Sequence, residues 1–122
     1  MLKSFALVGL GGALGSMARY GIAKIFVDVT SAYPLATGIT NVIGCFLIGL
    51  LVGFAERNEW LQGNLLLLLS TGFCGGFTTF SAFALENSYL IQQKLLTTTI
   101  LYSLGSLIFG ILACLWGLSL TR

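Results

Sequence analysis

One stretch of this sequence combines residue types that could bind an ion without using charged side chains. Residues 70–83 contain three glycines and five serine or threonine residues, interleaved with phenylalanines. If a helix breaks here, the freed carbonyl groups could coordinate a hard cation, and the freed amides could attract an anion. The alternative is a continuous glycine-rich helix that packs tightly against its neighbours. The residue types alone are consistent with both structures.

Two phenylalanines in this stretch could contribute to anion binding. Phe80 and Phe83 are three residues apart, so they share one face of a helix. An aromatic ring has a positive edge, and rings that present their edges to a narrow passage could stabilise an anion. The alternative is ordinary packing or lipid contact, which is the common use of phenylalanine in a membrane.

Polar side chains also occur in pairs in two other apolar segments. Asn41 follows Thr37 by four residues, and Ser106 follows Tyr102 by the same interval. These amide and hydroxyl groups could replace water around an anion, or they could bond to neighbouring helices. Because no carboxylate is among them, they favour a small, strongly hydrated anion over a cation.

Two charged residues lie close to the apolar segments. Ionisable groups inside a membrane are energetically costly and are usually functional. Arg19 could attract anions at a vestibule, or its side chain could extend to the membrane interface. Glu86 lies a turn or two before the expected end of its segment, and we interpret it as an interfacial carboxylate.

The composition excludes several other classes of protein. The 122 residues are 8% charged, whereas soluble domains carry about 25% charged residues. The chain has no histidine, the commonest metal ligand and general base. Cys45, Cys74 and Cys114 have no metal-binding spacing and are expected to be small buried hydrophobic residues. A net charge of +2 offers no basic surface for nucleic acid, so neither a soluble catalytic domain nor a nucleic-acid-binding domain is expected.

Long uncharged runs place the candidate residues in membrane-spanning helices. These runs cover residues 4–18, 29–55, 60–85 and 95–121, and about 20 apolar residues suffice to cross a bilayer. We therefore predict an all-α membrane protein with a single domain over residues 1–122. Its four spans are expected at about residues 3–26, 35–55, 60–89 and 95–120. The stretch at residues 70–83 then falls in the middle of the third span.

The loop charges give little preference for either orientation in the membrane. With four spans, the six basic residues divide equally between the two sides: Lys3, Arg57 and Arg122 against Arg19, Lys24 and Lys94. Since the distribution of Lys and Arg over short loops sets orientation, an equal division predicts insertion in both directions. If Arg19 is inside the membrane and does not count, the bias is three to two. An antiparallel dimer of identical chains is therefore a hypothesis.

Three motifs follow one another along the chain. The first is Gly11-Gly12-Ala13-Leu14-Gly15-Ser16 with Arg19-Tyr20, and the second is Asn41-x-x-Gly44-x-Phe46-x-x-Gly49. The third is Gly72-x-x-Gly75-Gly76-Phe77-Thr78-Thr79-Phe80-Ser81-x-Phe83 with Glu86. Together they resemble the Fluc family of bacterial fluoride channels. The third motif is specific, and the resemblance covers the whole chain in length, number of spans and motif order.

The resemblance implies an antiparallel, dual-topology homodimer with two pores along the subunit interface. The third helix would be broken at midspan. It would present the backbone carbonyls of Gly75 and Thr78, from both subunits, to a structural Na⁺ that is not transported. The fluoride pathway would comprise two pore-facing rings, an amide ligand, hydroxyl groups and an arginine near a pore mouth: Phe80, Phe83, Asn41, Ser81, Thr37, Tyr102, Ser106 and Arg19.

By the same resemblance, the protein is a channel in the lipid of the bacterial inner membrane and not an enzyme. It would export fluoride passively and protect the cytoplasm from it. The alternative is a small dual-topology multidrug or guanidinium antiporter coupled to protons. Such coupling needs a carboxylate deep in a span, usually the first, and the first span carries Arg19 and no acidic residue. A structural or assembly subunit would leave the midspan motif unexplained.

Overall fold

The computed structural model describes residues 1–26 and 34–121, and within these ranges every regular element is helical. Four helices are long and apolar enough to cross a membrane: Leu2–Phe26, Leu35–Arg57, Asn64–Gln92 and Leu96–Thr121. The prediction of an all-α chain with four membrane-spanning helices is therefore confirmed. The loop predicted after the first span, which contains Asp28, lies outside the described residues, as does Arg122.

Three of the four spans are uninterrupted helices. They are α1 (Leu2–Phe26), α2 (Leu35–Arg57) and, at the C-terminal end, α6 (Leu96–Thr121). A continuous helix satisfies its backbone groups internally, which the interior of a bilayer requires. Pro34 immediately precedes α2, where the absence of an amide hydrogen removes no helical hydrogen bond.

The third span is assembled from shorter elements. It consists of α3 (Asn64–Leu67), a π-helical segment (Leu68–Cys74), α4 (Gly75–Phe77) and α5 (Phe80–Gln92). The connection from α2 contains a short 3₁₀ turn at Glu59–Leu61. π-Helical segments are rare and often occur at functional sites, so this span differs from its neighbours in the region where the sequence is unusual.

Glycine residues allow α1 to pack directly against the backbone of the third span. A Cβ atom at Gly11 would lie 2.8 Å from the Cα atom of Gly72 and would overlap the carbonyl oxygen of Leu68. A Cβ atom at Gly15 would lie 2.7 Å from the amide nitrogen of Phe77. Small residues permit such close approach in lipid, where helix association depends on van der Waals packing.

α2 and α6 pack against each other in the same way. A Cβ atom at Gly49 of α2 would lie 3.1 Å from the amide nitrogen of Leu118, and one at Gly117 of α6 would lie 2.8 Å from that of Leu50. Beside this contact, the rings of Phe46 and Trp116 pack with centroids 5.0 Å apart. The domain is therefore built from two close helix pairs, α1 with the third span and α2 with α6.

A tight turn connects α5 to α6. The amide of Leu95 donates to the carbonyl of Leu90 at 2.9 Å, and the amide of Lys94 donates to that of Ile91 at 2.9 Å. This is the Schellman arrangement, in which the residue after the helix takes a left-handed conformation. Lys94 has that conformation, with a φ of 60°. The turn places α5 and α6 side by side and brings residues 86–87 opposite residues 102–103.

The glycine contacts predict how α1 responds to added volume. Gly15→Ala should lower the free energy of unfolding by about 1–3 kcal/mol, because the methyl group would meet backbone atoms of the third span. Gly9→Ala is the matched control on the same helix, since a Cβ atom at Gly9 has nothing within 4 Å. Thermal unfolding of purified protein in detergent measures both variants. Equal midpoints for Gly15→Ala and the unmodified protein would contradict the packing described above.

Candidate functional site

Two extended residues separate α4 from α5. Thr78 has φ −84° and ψ 157°, and Thr79 has φ −150° and ψ 120°. We refer to Thr78 and Thr79 as the extended pair. Their β-branched side chains favour extended backbone, and the Thr79 side chain caps the N-terminus of α5. The hydrogen-bond ladder of the third span is therefore interrupted near its middle.

Asn41 of α2 binds the backbone of the extended pair through both ends of its side-chain amide. The Thr79 amide donates to Oδ1 of Asn41 at 2.8 Å, and Nδ2 of Asn41 donates to the Thr79 carbonyl at 3.0 Å. In a continuous helix, the Thr79 amide would instead donate to the carbonyl of Gly75. The predicted fluoride ligand is thus adjacent to the predicted cation ligands. Its NH₂ group has two hydrogens, and the Thr79 carbonyl uses one.

The side chain of Thr79 accepts a hydrogen bond from a second backbone amide. The Ala82 amide donates to Oγ1 of Thr79 at 3.2 Å, whereas in a continuous helix it would donate to the carbonyl of Thr78. Oγ1 of Thr79 also lies 3.2 Å from Oγ of Ser81. The carbonyl groups of Gly75 and Thr78, which are predicted as cation ligands, therefore both have helical donors that bond elsewhere.

Side-chain donors occupy the neighbouring carbonyl groups. Oγ1 of Thr78 donates to the Cys74 carbonyl at 2.8 Å. Nε of Arg19 donates to the Gly76 carbonyl at 3.3 Å, and Oγ of Ser16 approaches the same oxygen at 3.4 Å. The guanidinium of Arg19, which is predicted to lie near a pore mouth, reaches the end of the helical run over residues 64–77. A cation is favourable at such a C-terminus because of the helix dipole.

Glu86 accepts two hydroxyl hydrogen bonds from residues predicted for the fluoride pathway. Oγ1 of Thr37 donates to one carboxylate oxygen at 2.5 Å, and the Tyr102 hydroxyl donates to the other at 2.7 Å. The sequence pattern alone did not connect Glu86, interpreted as an interfacial carboxylate, to these hydroxyl groups. The sequence did contain an indication that Glu86 belongs to this region, because Glu86 follows Phe83 by three residues and therefore lies on the same face of the helix.

Three aromatic rings extend from the surface of the third span toward Glu86. The ring centroids of Phe80 and Phe83 are 5.7 Å apart, and those of Phe83 and Tyr102 are 5.2 Å apart. Phe80 is 79% exposed on the single chain, and Phe83 is half-buried. Tyr102 therefore contacts Phe83 through its ring and Glu86 through its hydroxyl.

A groove of about 510 Å³ runs beside the extended pair. Six of the predicted site residues line it: Asn41, Gly75, Thr78, Phe80, Phe83 and Ser106. Four other predicted site residues do not line the groove: Thr37, Ser81, Tyr102 and Arg19. The first three are connected to the groove by the contacts described above. The fold thus brings residues of α2, the third span and α6 to one groove.

Residues 6–118 match the family model described as CrcB-like protein, Camphor Resistance (CrcB). A protein of Azobacteroides pseudotrichonymphae, named fluoride-specific ion channel FluC, is 46% identical over 123 residues, covering 100% of this chain and 98% of the relative. A protein of Prosthecochloris aestuarii with the same name is 44% identical over 116 residues, covering 95% of this chain and 91% of the relative.

The contacts of Glu86 predict energetic coupling among three side chains. Thr37→Val and Tyr102→Phe should each lower the free energy of unfolding by about 1–3 kcal/mol, because the half-buried carboxylate loses a donor. In a Glu86→Gln background both losses should shrink, since bonds to a neutral amide are weaker than bonds to a carboxylate. Denaturant unfolding in detergent supplies the double-mutant cycles.

Tyr20→Phe is the control for these cycles, because Tyr20 is a 63% exposed tyrosine on α1, a different helix from Glu86. Its effect should not depend on the residue at position 86. Losses for Thr37→Val and Tyr102→Phe that are identical in both backgrounds would contradict the coupling.

Proposed function

This chain belongs to the CrcB-like protein family, and from that premise we propose that it is a fluoride-specific ion channel. The observation that carries the proposal is the identity to relatives of that name over nearly the whole chain. The protein is a multi-pass membrane protein with four apolar spans. Its function is passive transport of fluoride out of the bacterial cell across the inner membrane, with no catalysed reaction.

The groove offers a pathway suited to a small anion. Removing water from an anion in a low-dielectric environment costs many kcal/mol unless donors replace the water. The second hydrogen of the Asn41 amide and the ring edges of Phe80 and Phe83 supply such interactions at the groove. An aromatic interaction contributes about 0.5–1.5 kcal/mol, so the rings assist passage and do not hold the ion alone.

Hydroxyl groups extend this pathway away from the rings. We assign Ser81, Thr37, Tyr102 and Ser106 to the polar track. The hydroxyl hydrogens of Thr37 and Tyr102 are bonded to Glu86, so a passing fluoride ion would have to compete with this carboxylate for them. Arg19 donates through Nε to Gly76 and keeps further N–H groups that can attract fluoride near a pore mouth. The pathway therefore combines neutral donors with one positive charge near its entrance.

The carbonyl groups of Gly75 and Thr78 fit a structural Na⁺ that is not transported. Hard cations prefer oxygen ligands, and both carbonyls lose their helical donors at the extended pair. Two symmetry-related chains would supply these ligands twice. When bound, Na⁺ would neutralise the partial negative charge of the carbonyls and join the two subunits at their centre.

We assign the protein to an antiparallel, dual-topology homodimer with two pores along the subunit interface. The near-equal distribution of basic residues supports insertion in both directions. The exposure of Phe80 on one chain also supports it, because a second chain would cover this ring and close the groove.

Fluoride efflux from liposomes that contain only this protein tests the proposed activity. Fluoride should leave the liposomes, and chloride should be retained. Phe80→Ile and Phe83→Ile should each remove most of the flux, because an aliphatic side chain fills similar space without a positive edge. Asn41→Asp should be more severe, since a carboxylate repels the anion at the same position.

Phe5→Ile is the matched control, because Phe5 is 69% exposed near the start of α1. It should conduct like the unmodified protein, and size-exclusion chromatography should show the same assembly for all variants. Unmodified flux in both Phe80→Ile and Phe83→Ile would rule out the aromatic pathway. Guanidinium transport driven by a proton gradient, without fluoride flux, would instead indicate the antiporter.

The orientation of single chains can be tested by shifting the charge balance. A reporter at the C-terminus should be found on both faces of the membrane. Asn58→Lys with Gln62→Lys adds charge between α2 and α3, and Gln92→Lys with Gln93→Lys adds charge between α5 and α6. Each pair should bias insertion in opposite directions and lower the flux when expressed alone, because one orientation becomes scarce.

Expression of the two charge-shifted chains together should restore the flux. If the reporter on the unmodified chain is detected on one face only, the antiparallel dimer is wrong.

A further inference from the structure

The side chains around the extended pair act on nearby carbonyl groups in two opposite ways. Side-chain donors bond to the carbonyls of Cys74 and Gly76, and the Cys74 carbonyl also keeps its helical donor, the Thr78 amide, at 3.0 Å. Side-chain acceptors remove the helical donors of the carbonyls of Gly75 and Thr78. We propose that Asn41 and Thr79 are positioning residues whose side-chain oxygens keep these two carbonyls free for a monovalent cation. This inference rests on the Na⁺ site of the proposed function and deepens it.

The first step concerns the carbonyl of Gly75. A backbone amide in the third span has two available acceptors, the helical carbonyl four residues earlier and any side-chain oxygen within reach. Oδ1 of Asn41 competes for the Thr79 amide from outside the third span, at 2.8 Å. The opposite end of the same side chain bonds to the Thr79 carbonyl at 3.0 Å, so the amide group cannot rotate away without losing both bonds.

The second step concerns the carbonyl of Thr78. Oγ1 of Thr79 accepts the Ala82 amide as a helix N-cap, which ends the helical ladder at that point. A valine at position 79 would keep the β-branched shape without the oxygen. The Ala82 amide would then have the Thr78 carbonyl as its nearest alternative acceptor along the chain. A cation at that carbonyl would have to compete with a hydrogen bond.

The third step concerns the carbonyls of Cys74 and Gly76, which are not available to a cation in the same way. Because Thr78, Ser16 and Arg19 donate to them, these oxygens have partners within the protein. A helix end normally exposes several carbonyl groups at once. The neighbouring side chains bond to two carbonyl groups of this helix end, whereas Gly75 and Thr78, whose carbonyls have lost their helical donors, both line the groove.

The test is the dependence of thermal unfolding on Na⁺ concentration. Purified protein is heated in sodium chloride mixed with N-methyl-D-glucamine chloride at constant ionic strength, and the half-saturating Na⁺ concentration is taken from the rise in midpoint. For Thr79→Val this concentration should rise about tenfold, in keeping with the loss of an N-cap acceptor. Thr79→Ser keeps the hydroxyl group and should restore the value of the unmodified protein.

Thr99→Val is the matched control. Its hydroxyl donates to the Leu95 carbonyl at the exposed start of α6, far from the extended pair in sequence. This variant should leave the half-saturating Na⁺ concentration unchanged, even if its midpoint shifts at all concentrations. A purely structural role of Thr79 would likewise lower the midpoint without changing the Na⁺ concentration at half-saturation.

Substitutions at Asn41 give a second test that does not require Thr79→Val to fold. Asn41→Asp keeps an oxygen that accepts the Thr79 amide, whereas Asn41→Leu has a similar volume and no acceptor. Asn41→Asp should therefore retain the Na⁺ response while losing fluoride flux, and Asn41→Leu should lose both. A Na⁺ response in Asn41→Leu equal to that of the unmodified protein would overturn the assignment of Oδ1.

The possible failures are distinguishable. If the unmodified protein is not stabilised by Na⁺ relative to N-methyl-D-glucamine, the proposed cation site itself is wrong. If the unmodified protein responds to Na⁺ and Thr79→Val has the same half-saturating concentration, the cation site stands and this inference is overturned.

Discussion

Every backbone amide and carbonyl inside a bilayer needs a partner from the protein, from a bound ion or from water in a cavity, because lipid provides none. α1, α2 and α6 meet this requirement by remaining continuous. Around Thr78 and Thr79, the third span meets this requirement with side chains. The amides of Thr79 and Ala82 donate to side-chain oxygens, and the carbonyls of Cys74 and Thr79 accept hydrogen bonds from side-chain donors. The position and shape of the groove depend on this exchange of helical bonds for side-chain bonds.

The exchange is possible only because other helices approach closely enough to take part in it. Asn41 belongs to α2, and Ser16 and Arg19 belong to α1. Glycines at positions 11 and 15 bring α1 against the third span, so that the side chains that follow them reach the Gly76 carbonyl. The glycines of α1 therefore also determine which backbone groups have partners.

The same region has few formal charges, and this suits a fluoride channel as we propose it. A carboxylate facing the groove would repel an anion, and the nearby carboxylate of Glu86 has both oxygens bound by hydroxyl groups. Neutral amide, hydroxyl and aromatic groups interact with fluoride weakly enough for it to leave again, which conduction requires. The positively charged guanidinium of Arg19 donates one hydrogen bond to the Gly76 carbonyl, at the C-terminal end of a helical run.

The sequence by itself determined the class of the protein and the identity of its unusual segment. An uncharged, apolar run of bilayer length predicts a membrane-spanning helix, so four spans could be predicted from composition. The motif at residues 72–83 indicated a family. The sequence did not reveal that Glu86 accepts bonds from Thr37 and Tyr102, that Arg19 reaches Gly76, or that Asn41 binds Thr79 at both ends. These bonds join residues 16 to 57 positions apart, and periodicity along one helix says nothing about its register against another. Only the packing of the helices sets that register, because the close approach of glycine backbones decides which side chain meets which carbonyl.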